Sequence, residues 1–145
     1  MKILLVSDTH GNDEILEKLH NQHPDCDLYL HAGDSQSNPY AIRPFIAIKG
    51  NCDYDVNFLP CLQLGTPYGN LYMQHYPYFK DEIINNSKIK IFIHGHTHQR
   101  RFERVGDVYF INPGSTTYPR DPYGPSYCIL KIDTNGVDCK FYNCD

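Results

Sequence analysis

The stretch Lys2-Ile-Leu-Leu-Val-Ser-Asp-Thr-His10 combines a short apolar run with polar side chains that follow it directly. A run such as Lys2–Val6 is typical of a strand whose two faces are both covered. Asp8 and His10 follow the point where this predicted strand ends. In open α/β sheets, ligands bind outside the carboxyl ends of the strands, so the stretch predicts a binding site here.

The same pattern recurs four times along the chain. The further strands and the residues that follow them are Asp27–Ala32 with Gly33-Asp34, Phe45–Lys49 with Gly50-Asn51-Cys52-Asp53, Leu71–Gln74 with His75, and Ile89–Ile93 with Gly95-His96-Thr97-His98. Five predicted strand ends therefore deliver Asp, Asn and His side chains toward one rim of the fold. Oxygen and imidazole ligands without thiolates suit manganese, iron, cobalt, nickel or zinc.

The remaining patterns predict an α/β protein with more strand than helix. Ile15, Leu16 and Leu19 recur at helical spacing after Asn12, a candidate N-cap, and His23-Pro24 stops that helix. A second, short helix is predicted over Lys80–Asn86. The other predicted strands form hairpins, namely Leu62–Leu64 with Leu71–Gln74, Arg101–Arg104 with Val108–Ile111, and Tyr127–Ile132 with Val137–Tyr142. We expect two sheets packed on each other in a single domain, residues 1–145.

Composition excludes several classes of function. The chain has 13 Lys and Arg against 17 Asp and Glu, a net charge of −4, so we expect neither a basic nucleic-acid clamp nor a polybasic membrane anchor. The apolar run that ends at Val6 is too short for a signal peptide or a membrane span. The six cysteines form no C-x-x-C pair, which indicates free thiols in a reducing cytoplasm.

The ordered series of motifs resembles the calcineurin-like metallophosphoesterases. The residues that carry the resemblance are Asp8-x-His10, Gly33-Asp34, Gly50-Asn51-x-Asp53, His75 and Gly95-His96-x-His98. Gly50-Asn51-Cys52-Asp53 and Asn112-Pro113-Gly114-Ser115 resemble the small single-domain phosphodiesterase branch of that family. The resemblance implies a four-layer α/β/β/α sandwich with two packed mixed sheets. It also implies hydrolysis of small or nucleotide-like phosphodiesters.

The resemblance further implies two divalent metal ions that share one carboxylate. The implied ligands of the first ion are Asp8, His10, Asp34 and His98, and those of the second are Asp34, Asn51, His75 and His96. Asp34, Asn51 and His75 are the expected catalytic residues. The implied reaction is attack at phosphorus by a hydroxide that bridges the two ions, without a covalent intermediate.

Two positions depart from the family pattern. Cys52 stands where many branches have a His that helps to protonate the leaving group, and it is either a packed residue or a weak proton donor. Tyr76 replaces a glycine beside His75, which makes His75 the least secure ligand. Cys52, Tyr76 and Arg100 are candidate substrate contacts, although an exposed strand would also carry Arg100.

Other residues are expected to support the site rather than to bind metal. His31, His94 and Asp53 are candidates for positioning the ligands through hydrogen bonds. The many loop tyrosines are either a stacking surface, a protein interface or ordinary packing. A phosphomonoesterase stays an alternative to the phosphodiesterase. So does a protein-interaction scaffold, because the same fold serves the retromer coat, and a protein partner or a homo-oligomer also stays open.

Overall fold

A computed structural model describes residues 1–79, 81–85 and 88–144. Its elements are β1 (Lys2–Val6), α1 (Asp13–Gln22), β2 (Leu28–His31), β3 (Ile46–Ala47), β4 (Cys61–Thr66), β5 (Gly69–Gln74), α2 (Asp81–Asn85), β6 (Ile89–Ile93), β7 (Arg100–Val105), β8 (Val108–Pro113), β9 (Ser126–Asp133) and β10 (Gly136–Asn143). The apolar runs Lys2–Val6 and Ile89–Ile93 are strands with the predicted bounds.

The strands form two mixed five-stranded sheets. The first has the order β10-β9-β1-β2-β3, in which β1, β2 and β3 are parallel. The second has the order β4-β5-β6-β8-β7, in which β5, β6 and β8 are parallel. The outer pairs β9–β10, β4–β5 and β7–β8 are antiparallel.

Three apolar clusters hold the layers together. The largest lies between the sheets and contains Ile3 and Leu30 of the first sheet and Leu71 and Ile91 of the second. The opposite face of the first sheet packs on Ile15, Leu16 and Leu19 of α1, and Ile83 of α2 packs on the outer face of the second sheet. The successive layers α/β/β/α confirm the predicted fold.

The structure differs from the predicted elements mainly at their ends. The third strand shrinks from Phe45–Lys49 to Ile46–Ala47, after which Ile48 donates its N–H to His31 and forms an isolated bridge to Leu59. Asn12 precedes α1 as predicted, but its side chain makes no capping hydrogen bond. The predicted helix Lys80–Asn86 is described only over Asp81–Asn85, because its two end residues lie outside the described range.

The helices of the described ranges are short. α1 has 10 residues and α2 has 5. Neither is long and apolar enough to pass through a lipid bilayer.

Candidate metal centre

Side chains from both sheets meet where their parallel strands end. Asp8 follows β1 and His98 follows β6, yet Oδ1 of Asp8 lies 3.2 Å from Nε2 of His98. Nε2 of His75, which follows β5, lies 3.8 Å from the same oxygen. The carboxyl ends of the two sheets therefore face one another, and the polar side chains that follow the strands form one cluster.

The backbone is unusual at these strand ends. Positive φ angles occur at Asp8 (55°), His10 (46°), Asp34 (61°), His96 (72°) and His98 (58°). Residues other than glycine rarely adopt this left-handed conformation, and each such residue costs on the order of 1–3 kcal/mol. Such strain persists only where surrounding contacts impose it, and here it aims five polar side chains into the cluster.

The glycines of two motifs allow this close approach. A Cβ atom added to Gly50 would overlap Oδ1 of Asp34, and one added to Gly95 would overlap Oγ of Ser7 and lie 2.8 Å from Oδ2 of Asp8. Side chains at either position would therefore displace a predicted metal ligand.

The first group of ligand atoms surrounds a buried carboxylate oxygen. Oδ1 of Asp8 has no hydrogen-bond partner among the described residues. It faces Nε2 of His98 at 3.2 Å and Nε2 of His10 at 4.0 Å. The two imidazole nitrogens lie 3.4 Å apart, and Oδ2 of Asp34 lies 3.9 Å from Nε2 of His10.

The second group is centred on Asn51. Its Oδ1 lies 2.9 Å from Nε2 of His75 and 3.2 Å from Nδ1 of His96. Oδ2 of Asp34 is 3.3 Å from the same nitrogen of His75, so Asp34 stands between the two groups. An amide oxygen faces two ring nitrogens here, and one of these nitrogens also faces a carboxylate, so the arrangement is rich in electron pairs.

Hydrogen bonds fix the proton on the far nitrogen of three histidines. In each, Nδ1 donates to an oxygen and Nε2 is left with a lone pair that faces the cluster. The acceptors are the carbonyl of Ala32 for His75 at 2.8 Å, the carbonyl of Tyr118 for His98 at 2.6 Å, and Oε1 of Gln36 for His10 at 2.7 Å. Metal-binding histidines usually have such a partner on the other ring nitrogen.

The titratable side chains of the cluster shift one another's pKa values. The nearby carboxylate of Asp8 raises the pKa of His98 despite its burial. Burial alone would lower the pKa of His75, but the neighbouring carboxylates of Asp34 and Asp8 outweigh it and the pKa is raised. Burial likewise opposes ionisation of Asp34, yet contacts with His75 and the Cys52 amide lower its pKa to about 2.

The donor set fits divalent cations. Two atoms that each lie about 2.1 Å from one ion are about 3.0–3.4 Å apart at octahedral or tetrahedral angles. The shortest separations in both groups lie close to this range. Asp8, His10 and His98 offer one compact set of ligand atoms, and Asp8, Asp34 and His75 offer another. The unpartnered oxygen of Asp8 is an atom that a cation would satisfy.

Asp53 organises the loops rather than facing the ligand atoms. Its Oδ2 accepts the backbone N–H groups of Asp34 at 2.8 Å and Gly50 at 2.7 Å. Its Oδ1 accepts the N–H group of Gln36 at 2.7 Å. One carboxylate thus joins the loop that follows β2 to the loop that follows β3.

His31 and His94 are buried next to the cluster. Burial lowers the pKa of each to about 4. Nε2 of His31 lies 2.8 Å from Oγ1 of Thr9, and Nδ1 of His31 accepts the N–H of Gly33. Nδ1 of His94 donates to the carbonyl of Gly95, and its Nε2 accepts a hydrogen bond from Arg101. Both rings hold loops that carry predicted ligands.

The three candidate substrate contacts have different surroundings. Sγ of the half-buried Cys52 lies within 4.8 Å of a ring nitrogen of His10 and a carboxylate oxygen of Asp34. The ring of Tyr76 lies 4.8 Å from that of His96. Arg100 makes its described contacts elsewhere. Its guanidinium donates to Asn143 and lies over the rings of Tyr123 and Phe141, and none of these contacts joins it to the cluster.

Several supporting residues were missing from the sequence-based site. Oγ of Ser7 donates to Oδ2 of Asp8 at 2.6 Å, and Oγ of Ser115 donates to the carbonyl of Asp8 at 2.8 Å. Gln36 and Tyr118 supply acceptors to the histidines. Among these four residues, only Ser115 belongs to a motif that the sequence analysis had singled out, namely Asn112–Ser115.

The chain is similar to known proteins in sequence and in fold. Residues 1–135 match the family model of the calcineurin-like phosphoesterase superfamily domain. A probable metallophosphoesterase of Bacillus subtilis, YsnB, is 29% identical over 99% of this chain and 91% of its own. The crystal structure of a predicted phosphoesterase from Streptococcus pneumoniae has a TM-score of 0.84 at 26% identity, covering 99% of this chain and 90% of that one. Vps29 of Entamoeba histolytica, crystallised with zinc, has a TM-score of 0.73 at 22% identity, with both chains fully covered.

Proposed function

Because this chain belongs to the calcineurin-like phosphoesterase superfamily, we propose that it is a phosphodiesterase that works with two divalent metal ions. The observation that carries the proposal is the buried Oδ1 of Asp8, which faces imidazole nitrogens of His98, His75 and His10 within 4.0 Å and has no described hydrogen-bond partner. While the histidines are neutral and no cation is bound, this oxygen stays buried and unsatisfied, at a cost of about 1–3 kcal/mol.

The proposed ligands divide as the two groups of atoms do. One ion would be held by Asp8, His10, Asp34 and His98, and the other by Asp34, Asn51, His75 and His96, with Asp34 shared. When bound, two such ions supply Lewis acidity toward the phosphoryl oxygens and lower the pKa of a water molecule.

The chain itself supplies orientation and charge balance. The Nδ1 hydrogen bonds of His10, His75 and His98 hold the imidazole rings in place, so their Nε2 atoms need no rearrangement before binding. Asn51 contributes a neutral oxygen, which keeps the centre more electrophilic than another carboxylate would. Proton donation to the leaving group has no assigned residue, so substrates with good leaving groups should react fastest.

The space beside the centre has room for an organic group of the substrate. A cleft of about 510 Å³ adjoins Asn51 and His75. A diester carries two organic groups and a monoester one, so the cleft accommodates a group of either, and turnover of a diester decides between them.

A protein-interaction scaffold is the second candidate. The similarity in fold to Vps29 supports it, as do exposed apolar side chains such as Val56 and Leu59. A scaffold has no need for a complete set of candidate ligands, for strained backbone at five of them, or for supporting hydrogen bonds. The intact cluster therefore favours the enzyme.

The test combines metal content with hydrolysis. Wild-type protein incubated with Mn²⁺ and dialysed should retain about two ions per chain and hydrolyse bis(4-nitrophenyl) phosphate. Asp34→Asn should retain fewer ions, and its kcat/KM should fall more than about a hundredfold. Replacing even the residues that support metal ligands lowers metal affinity or activity by about 10–100-fold. Asp107→Asn, on an exposed hairpin, is the matched control. An Asp34→Asn protein with unchanged metal content and turnover would refute the proposal.

A further inference from the structure

The cleft beside the metal centre has a rim of tyrosines. Asn51 and His75 are shared between the cleft and the ligand cluster. The other lining residues include Lys49, Tyr54, Gln74, Tyr76 and Tyr78. Its volume of about 510 Å³ is typical of sites for small organic molecules.

The three tyrosines differ in exposure. The side chain of Tyr54 is 86% exposed and that of Tyr78 is 75% exposed, whereas Tyr76 is 43% exposed. The ring of Tyr76 lies 4.8 Å from that of His96 and 5.5 Å from that of His75. Tyr76 therefore stands at the junction of the cleft and the centre, and the other two rings face largely into solvent.

The backbone that carries two of these rings is held in place. Nε2 of Gln74 donates to the carbonyl oxygen of Tyr76 at 2.9 Å and to that of Tyr78 at 2.5 Å. With the backbone fixed, only the rotation of the tyrosine side chain remains to be ordered when a planar group stacks on its ring. Lys49 adds an ammonium group to the same lining, and an ammonium group is a partner for phosphate oxygens.

We infer that this cleft binds a planar aromatic group, a nucleobase or an aryl ring, of the phosphoester whose phosphorus lies at the metal centre. The inference deepens the proposed function, on which it rests for the identity of the phosphoester. Tyr54 and Tyr78 stack on the ring, and Tyr76 separates the ring from the metal centre. Stacking requires a planar ring rather than a particular pattern of hydrogen-bonding groups. We therefore expect the cleft to accept several bases.

Binding to the Mn²⁺-loaded protein tests the inference directly. Isothermal titration calorimetry compares three monophosphates of similar charge, namely adenosine 5′-monophosphate, phenyl phosphate and ribose 5-phosphate. The ring-bearing ligands should bind about fivefold to a hundredfold more tightly than ribose 5-phosphate, which is the range that stacking supplies. Preference for adenosine 5′-monophosphate alone would indicate a nucleobase, and preference for both would indicate any aryl ring.

Variants localise the effect. Tyr54→Ala and Tyr78→Ala should reduce the affinity for adenosine 5′-monophosphate toward that for ribose 5-phosphate, while the latter stays the same. Tyr40→Ala, at a ring that is 60% exposed but outside the cleft, should bind all three like the wild type. Equal binding of the three ligands overturns the inference. So does a change of oligomeric state in the tyrosine variants without a change in ring preference, since the surface would then be an interface between copies.

Turnover of bis(4-nitrophenyl) phosphate by the same preparations separates the two proposals. Turnover without ring preference would refute the aromatic site alone. Ring preference without turnover would refute the phosphodiesterase alone.

Discussion

Nε2 of His98 lies 3.2 Å from Oδ1 of Asp8, while Nδ1 of the same ring donates to the carbonyl oxygen of Tyr118 at 2.6 Å. In the neutral ring the single proton is therefore on Nδ1, and Nε2 presents a lone pair to the carboxylate. Two electron-rich atoms face each other at short range. Either a second proton on His98 or a cation between the two atoms relieves the repulsion.

Protons and metal ions should therefore compete for this centre. The pKa of His98 is raised by the nearby carboxylate of Asp8, and that of His75 is raised because two carboxylates outweigh its burial. We expect Mn²⁺ affinity to fall between pH 8 and pH 6, by about tenfold per pH unit for each proton displaced. Calorimetry in two buffers of different ionisation enthalpy would measure the protons released. An affinity that is independent of pH would contradict this expectation.

The same competition has a consequence for stability. Since the folded-state pKa values of these histidines are raised, their charged forms stabilise the metal-free fold at low pH, and this contribution is lost as pH rises through those values. Added Mn²⁺ should therefore increase Tm more at pH 8 than at pH 6. His20→Gln, on α1 outside the cluster, is the control and should match the wild type at both pH values.

Much of the site was predictable because it follows from strand ends. The apolar runs of β1 and β6 are unambiguous, and parallel strands bring the residues that follow them to one edge. The loop backbone was not predictable. Nothing in the sequence distinguishes Asp8 or His96 as a residue with positive φ, because the tertiary contacts of the cluster impose that conformation.

The length of the third strand was also not predictable from the sequence pattern. The stretch Phe45–Lys49 suggested five residues of strand, but only Ile46–Ala47 pair with β2, and Ile48 adds one backbone hydrogen bond to His31. Phe45 is buried for another reason, since it packs in the apolar cluster between the first sheet and α1. Burial without pairing looks identical to a strand in the sequence pattern.

Gly50→Ala should disturb the shared ligand. The added Cβ would overlap Oδ1 of Asp34, and the loop must move to accommodate it. We expect a loss of about 1–3 kcal/mol in the free energy of unfolding, as for other overpacked sites, together with weaker Mn²⁺ binding. Urea unfolding and metal titration would measure the two effects. Gly65→Ala is the matched control, because its Cβ would meet nothing closer than 3.9 Å. Equal behaviour of the two variants would refute the steric argument.

Asp53→Asn should loosen the two loops that Asp53 joins. The carboxylate accepts three backbone N–H groups, from Asp34, Gly50 and Gln36, and an amide NH₂ group cannot accept. Hydrogen bonds to charged groups contribute about 1.5–3 kcal/mol each, so we expect a loss of at least about 2 kcal/mol in stability. Metal affinity should fall about 10–100-fold, as for other supporting residues.

The control for this variant lies in the same loop. Asp55 is half-buried and its side chain accepts one N–H group, from Asn57. Asp55→Asn should lose less stability and leave metal affinity unchanged. If Asp53→Asn weakened folding but not metal binding, the role of Asp53 in positioning the ligands would be disproved.

Cys52→Ser should retain activity within about tenfold, well short of the 10²–10⁴-fold that general acid–base groups contribute. Burial and the neighbouring carboxylate of Asp34 raise the pKa of the Cys52 thiol, which makes it a poor proton donor. The contact that matters is the backbone N–H of Cys52, which donates to Oδ1 of Asp34 at 2.8 Å and is kept by serine. Rates should be compared for a diester with a 4-nitrophenolate leaving group and one with an alkoxide leaving group, with Cys61→Ser as the control. A loss above about a hundredfold that is confined to the alkoxide would identify the thiol as the general acid, because only a poor leaving group needs protonation.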